Sequence, residues 1–304
     1  MKRISCLALI SICLVFLTNT KCFSQIEPNK FSKEKNYIPY FLEVQKAKRL
    51  SNEGKIKESF LKLDSLFDYY EPKETPLIYE SKLYCELSDS LKIYKKERIR
   101  DLIISMVSNH GRNLTDYKKI GSKWKRIIYK VGLNESEINA MYINLQTNIN
   151  TAVRDTIGVM YERDQWARAT QERIETKLDS IDKINEPIIV DIVKKYGYPN
   201  ERLLGFKDFY NPARDSHISV LLTHIDPKIK IEVIEPILIN ELQNGNFSPI
   251  FYAVFIDHIK MISQVDSPYP YYGSYVTNKT IQSIENLDEI NKNRKSIGLL
   301  ELKK

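Results

Sequence analysis

The sequence predicts an all-α protein in which a short helical-repeat region precedes a compact helical C-terminal domain. Glycine is scarce, with 10 residues in 304, which disfavours a β architecture rich in turns. Side chains that cap helices stand directly before prolines at several places, and apolar residues recur at helical spacing. No segment combines alternating polarity with a hairpin turn. The length and a hydrophobic content of 42% allow two domains with their own cores.

Residues 1–24 are predicted to form a secretory signal that is cleaved before Gln25. Lys2 and Arg3 precede an apolar run over residues 4–17, and small residues follow at the positions that cleavage requires. The apolar run is too short to span a membrane as a helix. We therefore expect a periplasmic or secreted protein without a membrane span.

A lipoprotein anchor on Cys22 is the alternative, but Lys21 stands where that processing requires a small residue. After cleavage Cys85 is the one cysteine left, so stability is expected to come from packing and not from disulfides. The net charge falls from +7 to +4, because Lys2, Arg3 and Lys21 leave together. This mild excess does not indicate a nucleic-acid partner.

Residues 25–133 are predicted to contain paired helices that repeat with an offset of 34 residues. The matching positions are Ala47 and Ser81, Leu50 and Tyr84, Gly54 and Ser88, and Phe60 and Tyr94. This period, with small residues where two helices approach closely, resembles the tetratricopeptide repeat family. The resemblance implies a surface for a protein or peptide partner. Ser59 has Ile93 as its counterpart, the consensus tryptophan and proline are missing, and residues 111–128 with Trp124 are expected to cap the array.

Residues 134–304 are predicted to be the second domain. Asn134 precedes Glu135 and Glu137, an arrangement that starts helices because the side chain caps and the acids favour the helix dipole. Glycines end the later helices, at Gly197, Gly245 and Gly298. Four pairs of a capping residue and a proline predict helix starts: Thr75-Pro76, Asn211-Pro212, Asp226-Pro227 and Ser248-Pro249.

Residues 160–300 resemble an uncharacterised bacterial family with a domain of unknown function. The matching residues, in the family's order and spacing, are Asp164-Gln165 with Arg168, Gly197-Tyr198-Pro199, Leu203-Leu204-Gly205, His224 with Asp226, Gly245, Asp257, Tyr272-Gly273-Ser274, Ile284-Glu285, Arg294 and Gly298-Leu299. The chain departs from the pattern at Thr223, His258, Pro270 and Tyr275. The resemblance implies a fold and a set of shared positions, and it implies no reaction.

His224 and Asp257 are the candidate catalytic residues. His224 and Asp226 are two positions apart and cannot share a helix face, so we expect His224 at the end of one helix and Asp226 as the cap of the next. Asp257 lies in a helix that is apolar nearly all round, and a buried carboxylate needs a partner. Arg168, His224 and Arg294 are the candidates, with His224 preferred. Two interpretations remain: a structural ion network, or an acid-base pair in a cleft.

The candidate ligand-binding residues are polar or aromatic side chains of this region together with one glycine: Asp164, Gln165, Arg168, Asp226, His258, Tyr272, Gly273 and Arg294. Asp164 and Arg168 are also spaced for a simple pair within one helix. The aromatic loop over residues 268–275 either lines a binding site or packs over the helices as a lid.

Several classes of site have no support in the sequence. Histidines at 110, 217, 224 and 258 with one cysteine match no metal-ligand spacing, although His224, Asp226 and His258 could meet in space. Nucleophile elbows, phosphate loops and dinucleotide fingerprints are absent, so no cofactor is predicted. Basic residues with interleaved aromatics over residues 117–130 could contact nucleic acid or anionic lipid head groups, but in an exported protein we interpret them as a solvated helix face.

Two functions are compatible with these observations. The first is an exported binding or scaffold protein, with helical repeats for a protein or peptide partner and a C-terminal pocket for a small ligand or peptide. The second is a hydrolase-like enzyme that uses His224 and Asp257 as an acid-base pair. An open pocket lined by both residues would favour the enzyme.

Overall fold

The computed structural model describes residues 36–112, 114, 117–169, 175–205, 217–262, 271–275 and 284–303. Within these ranges every regular element is helical, which confirms the all-α prediction. The predicted signal over residues 1–24, the Asn211-Pro212 helix start and Pro270 lie outside the described residues. No helix in the described ranges is both long and apolar enough to cross a membrane.

From residue 36 to residue 133, the described residues form five helices. They are α1 (Ile38–Asn52), α2 (Ile56–Leu66), α3 (Glu80–Leu91), α4 (Lys96–Ser108) and α5 (Tyr117–Lys130), the last interrupted at Gly121. Successive helices from α1 to α4 pack on one another, and α1 also contacts α3. Ser59 at the start of α2 donates to the Ala47 carbonyl of α1 at 2.7 Å, which requires the two backbones to approach closely. The tetratricopeptide resemblance stays a prediction.

The second part of the chain continues with shorter and longer helices. They are α6 (Glu135–Asn148), α7 (Thr151–Ala169), α8 (Glu175–Tyr196), α9 (Glu201–Leu204), α10 (His217–Thr223), α11 (Pro227–Ile229), a π-helical turn (Lys230–Ile234), α12 (Glu235–Gln243), α13 (Pro249–Ile262) and α14 (Leu287–Ser296). Helix α10 packs on α7, α8 and α13. One hydrophobic core extends through both parts, and all described residues from Asn36 onward belong to one compact unit. The domain boundary near residue 134 stays a prediction.

Most of the predicted helix boundaries are confirmed. Asn134 accepts from the Glu137 amide at 3.0 Å while Glu137 bonds back to the Asn134 amide, so the two form a capping box. Pro227 and Pro249 begin α11 and α13. Glycines in the left-handed region follow α8, α12 and α14, where a side chain would be strained: Gly197, Gly245 and Gly298.

The helix start predicted at Thr75-Pro76 is wrong, because α3 begins at Glu80. The Thr75 amide donates to the Glu80 carboxylate at 2.7 Å, and the Thr75 hydroxyl contacts the same group. Tyr79 has φ of 51°, so the chain turns before the helix begins. The tertiary hydrogen bonds that Thr75 makes to the buried Glu80 outweigh the local preference of Thr75-Pro76 for a helix start.

Two buried glutamates stand side by side at this turn. Glu80 is fully buried, and it accepts from the Tyr40 hydroxyl and from the Lys73 amide in addition to Thr75. Glu74, 2% exposed, accepts from the Ser81 amide at 3.2 Å, and its Oε2 has no partner in the described part of the chain. Burial and the charge of Glu80 raise the pKa of Glu74 to about 7. Glu74 is therefore the member of the pair that takes up a proton.

The basic and aromatic residues over positions 117–130 of α5 include side chains that contact α3. Trp124 is buried and donates to Glu86 at 3.1 Å, and the Arg126 guanidinium pairs with Asp89 at 2.5 Å. The Lys130 ammonium lies 4.0 Å from the centre of the Tyr94 ring. Trp124 is consequently not available for stacking on a base, whereas Arg126 and Lys130 stay exposed to solvent.

Replacing Glu74 by Gln is predicted to remove a pH dependence of stability. The folded chain holds a proton on Glu74 up to about pH 7, whereas a pKa of 4.5 is the ordinary value for an unfolded chain. The free energy of unfolding of the wild type should therefore fall by about 1–3 kcal/mol as the pH rises from about 4.5 to about 7. Urea unfolding across this window should show the fall in the wild type and a flatter profile in Glu74→Gln.

The exposed Glu58 of α2 provides the matched control, because Glu58→Gln makes the same change in solvent. Its profile should follow that of the wild type. Equal slopes for the wild type and Glu74→Gln would contradict the assignment of the proton to Glu74.

Candidate functional site

The junction between α10 and α11 is built as the sequence predicts. Helix α10 ends at Thr223 and α11 begins at Pro227, with His224 just beyond the first helix. The Asp226 carboxylate accepts from the amides of Lys228 at 2.8 Å and Ile229 at 3.4 Å, which makes it the cap of α11. The Asp226 amide donates to Glu186 of α8 at 2.7 Å, so the junction is held against that helix.

His224 lies against Asp164 of α7, and the prediction that Asp257 is its partner is wrong. His224 Nδ1 is 2.8 Å from Asp164 Oδ1. The ring N–H is not aligned for a hydrogen bond at this position. No contact joins His224 to Asp257, whose carboxylate bonds elsewhere. Sequence distance hid this pairing, because α10 packs on α7, sixty residues earlier in the chain.

Three side chains converge on the Asp164 carboxylate, which is only 1% exposed. Arg168 Nε donates to Oδ1 at 2.9 Å, Gln165 Nε2 donates to Oδ2 at 2.8 Å, and His224 contacts Oδ1. Burial raises the pKa of Asp164, but the contacts with His224, Arg168 and Gln165 outweigh burial and hold it below its usual range. Asp164 is thus an ionised carboxylate inside the protein.

Arg168 joins Asp164 to a second carboxylate that sequence reasoning missed. Its Nη2 donates to Asp182 Oδ1 of α8 at 2.8 Å, so one guanidinium bridges acids on two helices. A signal for this was available. Asp182, Asn185, Glu186 and Ile189 have the spacing of one helix face, and Asn185 interrupts an apolar stripe there.

A narrow cleft opens at this cluster, with a volume of about 180 Å³ that includes space open to solvent. The side chains leave no room for a free water molecule between them. Asn185, 3% exposed, donates from Nδ2 to the Met160 carbonyl at 3.4 Å, while its Oδ1 has no donor among the described residues. The cleft is lined by Asp164, Asp182, Asn185, Glu186, Ile189, Leu221, His224 and Ile225.

Two further basic side chains lie near His224. Lys230, 1% exposed, donates to the Thr223 carbonyl at 2.6 Å, and burial lowers its pKa to about 8. Burial, and then the positive charges of Lys230 and His224, lower the pKa of His258 to about 4. His258 is therefore neutral at pH 7, and the structure brings it close to His224.

Asp257 is an anchor for the segment over residues 271–275. Its carboxylate, 1% exposed, accepts from the Tyr272 amide at 2.7 Å, the Ser274 amide at 2.7 Å and the Ser274 hydroxyl at 2.6 Å. Gly273 between them has φ of 63°, a backbone conformation that glycine adopts without strain. Both oxygens of this buried carboxylate accept hydrogen bonds, so its role is to hold this segment.

Arg294 supports the same segment from α14. Its Nη1 donates to the Tyr272 carbonyl at 2.9 Å and its Nε donates to the Leu300 carbonyl at 2.6 Å. Burial lowers the pKa of Arg294, and the charge of Asp257 opposes this. Tyr272, Gly273 and Arg294 thus belong to the Asp257 anchor, whereas Asp164, Gln165, Arg168 and Asp226 belong to the His224 cluster.

Asp257→Asn is predicted to destabilise the fold by about 2–4 kcal/mol, because one carboxylate oxygen becomes an NH₂ group that faces donors. Urea unfolding checks this value. Asp191→Asn, the same change at an exposed position of α8, should shift stability by less than about 0.5 kcal/mol. Equal stabilities of the two variants would contradict the anchoring role of Asp257.

Comparison of the chain with family models, curated proteins and solved structures finds no match to any of them. The resemblance of residues 160–300 to the bacterial family of unknown function therefore stays a prediction.

Proposed function

We propose that this chain is an exported binding or scaffold protein. In this proposal the N-terminal helices bind a protein or peptide partner, and the cleft beside His224 holds a small ligand or peptide. Export rests on the predicted signal over residues 1–24. The His224 cleft is defined by the lining residues given above.

The observation that carries the proposal is the separation of the two candidate catalytic residues. Asp257 is buried and bonded to the backbone of Tyr272 and Ser274, whereas His224 faces Asp164. A general base must reach the proton that it removes. The hydrolase that uses His224 and Asp257 together loses its geometric support, and a role in binding becomes the better interpretation.

The contact of His224 with Asp164 supports a second enzymatic candidate. A buried carboxylate beside Nδ1 is how hydrolases orient a histidine, leaving Nε2 as the base. None of the described residues that line the cleft carries a hydroxyl or thiol. Such a dyad has no nucleophilic side chain among them, so binding remains favoured.

The loop before α3 supports a partner surface on the N-terminal helices. Leu77 is 62% exposed and has φ of 70°, and Glu74 and Tyr79 in the same loop also have positive φ. Non-glycine residues in this conformation store strain of about 1–3 kcal/mol each, and such strain concentrates at binding sites. An exposed leucine in a strained loop is suited to anchor a bound protein or peptide.

Thermal unfolding in the presence of ligands tests the proposal. Metal-free protein in excess chelator is screened against amines, short peptides and sugars. At least one class should raise the melting temperature of the wild type by about 2–6 °C, as expected for a ligand well above its dissociation constant. His224→Ala should remove this shift, whereas Asp191→Asn should preserve it.

The same compounds are followed for hydrolysis. The proposal expects them to be recovered intact after hours with the protein. Hydrolysis of any of them that falls at least about a hundredfold in His224→Ala would overturn the proposal in favour of an enzyme.

A further inference from the structure

We propose that the His224 cleft binds one divalent transition-metal ion, such as Zn²⁺, through Asp164, Asp182 and His224. The inference rests on the proposed function, because it names a ligand class for the same cleft. Each of the three residues comes from a different helix, α7, α8 and the end of α10. A bound ion would therefore join these helices.

The geometry of the three ligand atoms is close to that of a metal site. One carboxylate oxygen from Asp164, one from Asp182 and one imidazole nitrogen of His224 all lie within 4.8 Å of one another. Zinc bonds of about 2.0–2.2 Å place two ligand atoms at most about 4.4 Å apart. The inference requires side-chain rotations that bring the three ligand atoms closer together.

Asn185 provides an independent indication of a missing ligand. It lines the cleft, it is 3% exposed, and its Oδ1 accepts no hydrogen bond in the described part of the chain. An unsatisfied buried acceptor costs about 1–3 kcal/mol. His224 Nδ1 in the same cleft has no aligned hydrogen-bond partner either. A cation between them would satisfy both, with the amide oxygen as a fourth ligand.

The charge around the cleft also favours a divalent cation. Among the described residues, four carboxylates are grouped here and two basic side chains other than histidine face them. The carboxylates are Asp164, Asp182, Glu186 and Asp226, and the basic side chains are Arg168 and Lys230. Imidazole together with carboxylate oxygens suits zinc and its neighbours better than magnesium or calcium.

Arg168 is the competitor for the site. It bridges the Oδ1 atoms of Asp164 and Asp182, and it therefore occupies acceptors that the metal needs. Its side chain is 25% exposed, so it can turn towards solvent when an ion enters. Removal of this guanidinium should consequently strengthen metal binding. If Arg168, Asp164 and Asp182 form only a structural ion bridge, the same removal should not strengthen metal binding.

Calorimetric titration of the tag-free, chelator-treated full chain with ZnCl₂ tests the inference. The wild type should bind one Zn²⁺ per chain and should bind Mg²⁺ at least about a hundredfold more weakly. His224→Ala and Asp182→Asn should each weaken Zn²⁺ binding at least about tenfold. Asp179→Asn, an exposed acid on the same helix as Asp182, serves as the matched control and should bind like the wild type.

Arg168→Met provides a second test if His224→Ala or Asp182→Asn fails to fold. Zn²⁺ should raise the melting temperature of Arg168→Met more than that of the wild type. No binding to the wild type at about 0.1 mM Zn²⁺, or binding that His224→Ala and Asp182→Asn leave unchanged, would overturn the inference. If Zn²⁺ fails to bind while an organic ligand still gives a shift that depends on His224, only the metal inference falls and the proposed binding function stands.

Discussion

The burial of the Asp164 carboxylate is the constraint on which the His224 cleft depends. An ionised carboxylate at 1% exposure has lost nearly all of its water, and breaking such a pair by removing one partner costs about 3–5 kcal/mol. Arg168, Gln165 and His224 converge on it for this reason. Arg168 and Gln165 lie on α7, His224 follows α10, and Arg168 also reaches Asp182 of α8. The contacts that stabilise the Asp164 carboxylate therefore hold these three helices together.

Asp257 meets the same constraint in a different way. It is equally buried, but its donors are backbone amides and the Ser274 hydroxyl, which are neutral and fixed by the fold. The donors to Asp164 are long side chains that can change rotamer. Asp257 therefore holds the segment over residues 271–275 rigidly, whereas Asp164 lies in a cluster of side chains that can rearrange around a ligand. This contrast is why we propose a binding site in the cleft and not at Asp257.

Features of the fold that depend on adjacent residues could be predicted from the sequence. The Asn134 capping box, the Asp226 cap and the glycines after α8, α12 and α14 are set by local backbone chemistry, and each is found where its pattern indicates. Thr75 shows the limit of such patterns, because its amide and hydroxyl serve the buried Glu80 and not the start of a helix.

The candidate site could be predicted only in part. The sequence predicts His224, Asp164 and Arg168 as candidate site residues. It predicts Asp257 as the partner of His224 by the argument that a buried acid needs a partner. That argument holds for Asp164 and Asp257 alike, and no sequence rule states which buried groups face each other. The helical spacing of Asp182 and Asn185 places them on one face of α8, but their partners are defined only when α8 packs against α7 and α10.

The central claim is that His224 belongs with Asp164 and not with Asp257, and nitrogen NMR of the histidine rings tests it most directly. In protein labelled with ¹⁵N-histidine, the Nδ1 resonance of His224 is assigned from its loss in His224→Ala. The structure predicts that Asp164→Asn moves this resonance strongly, because the two atoms are 2.8 Å apart, and that Asp257→Asn leaves it in place. A resonance that moves with Asp257→Asn and stays with Asp164→Asn would contradict the account.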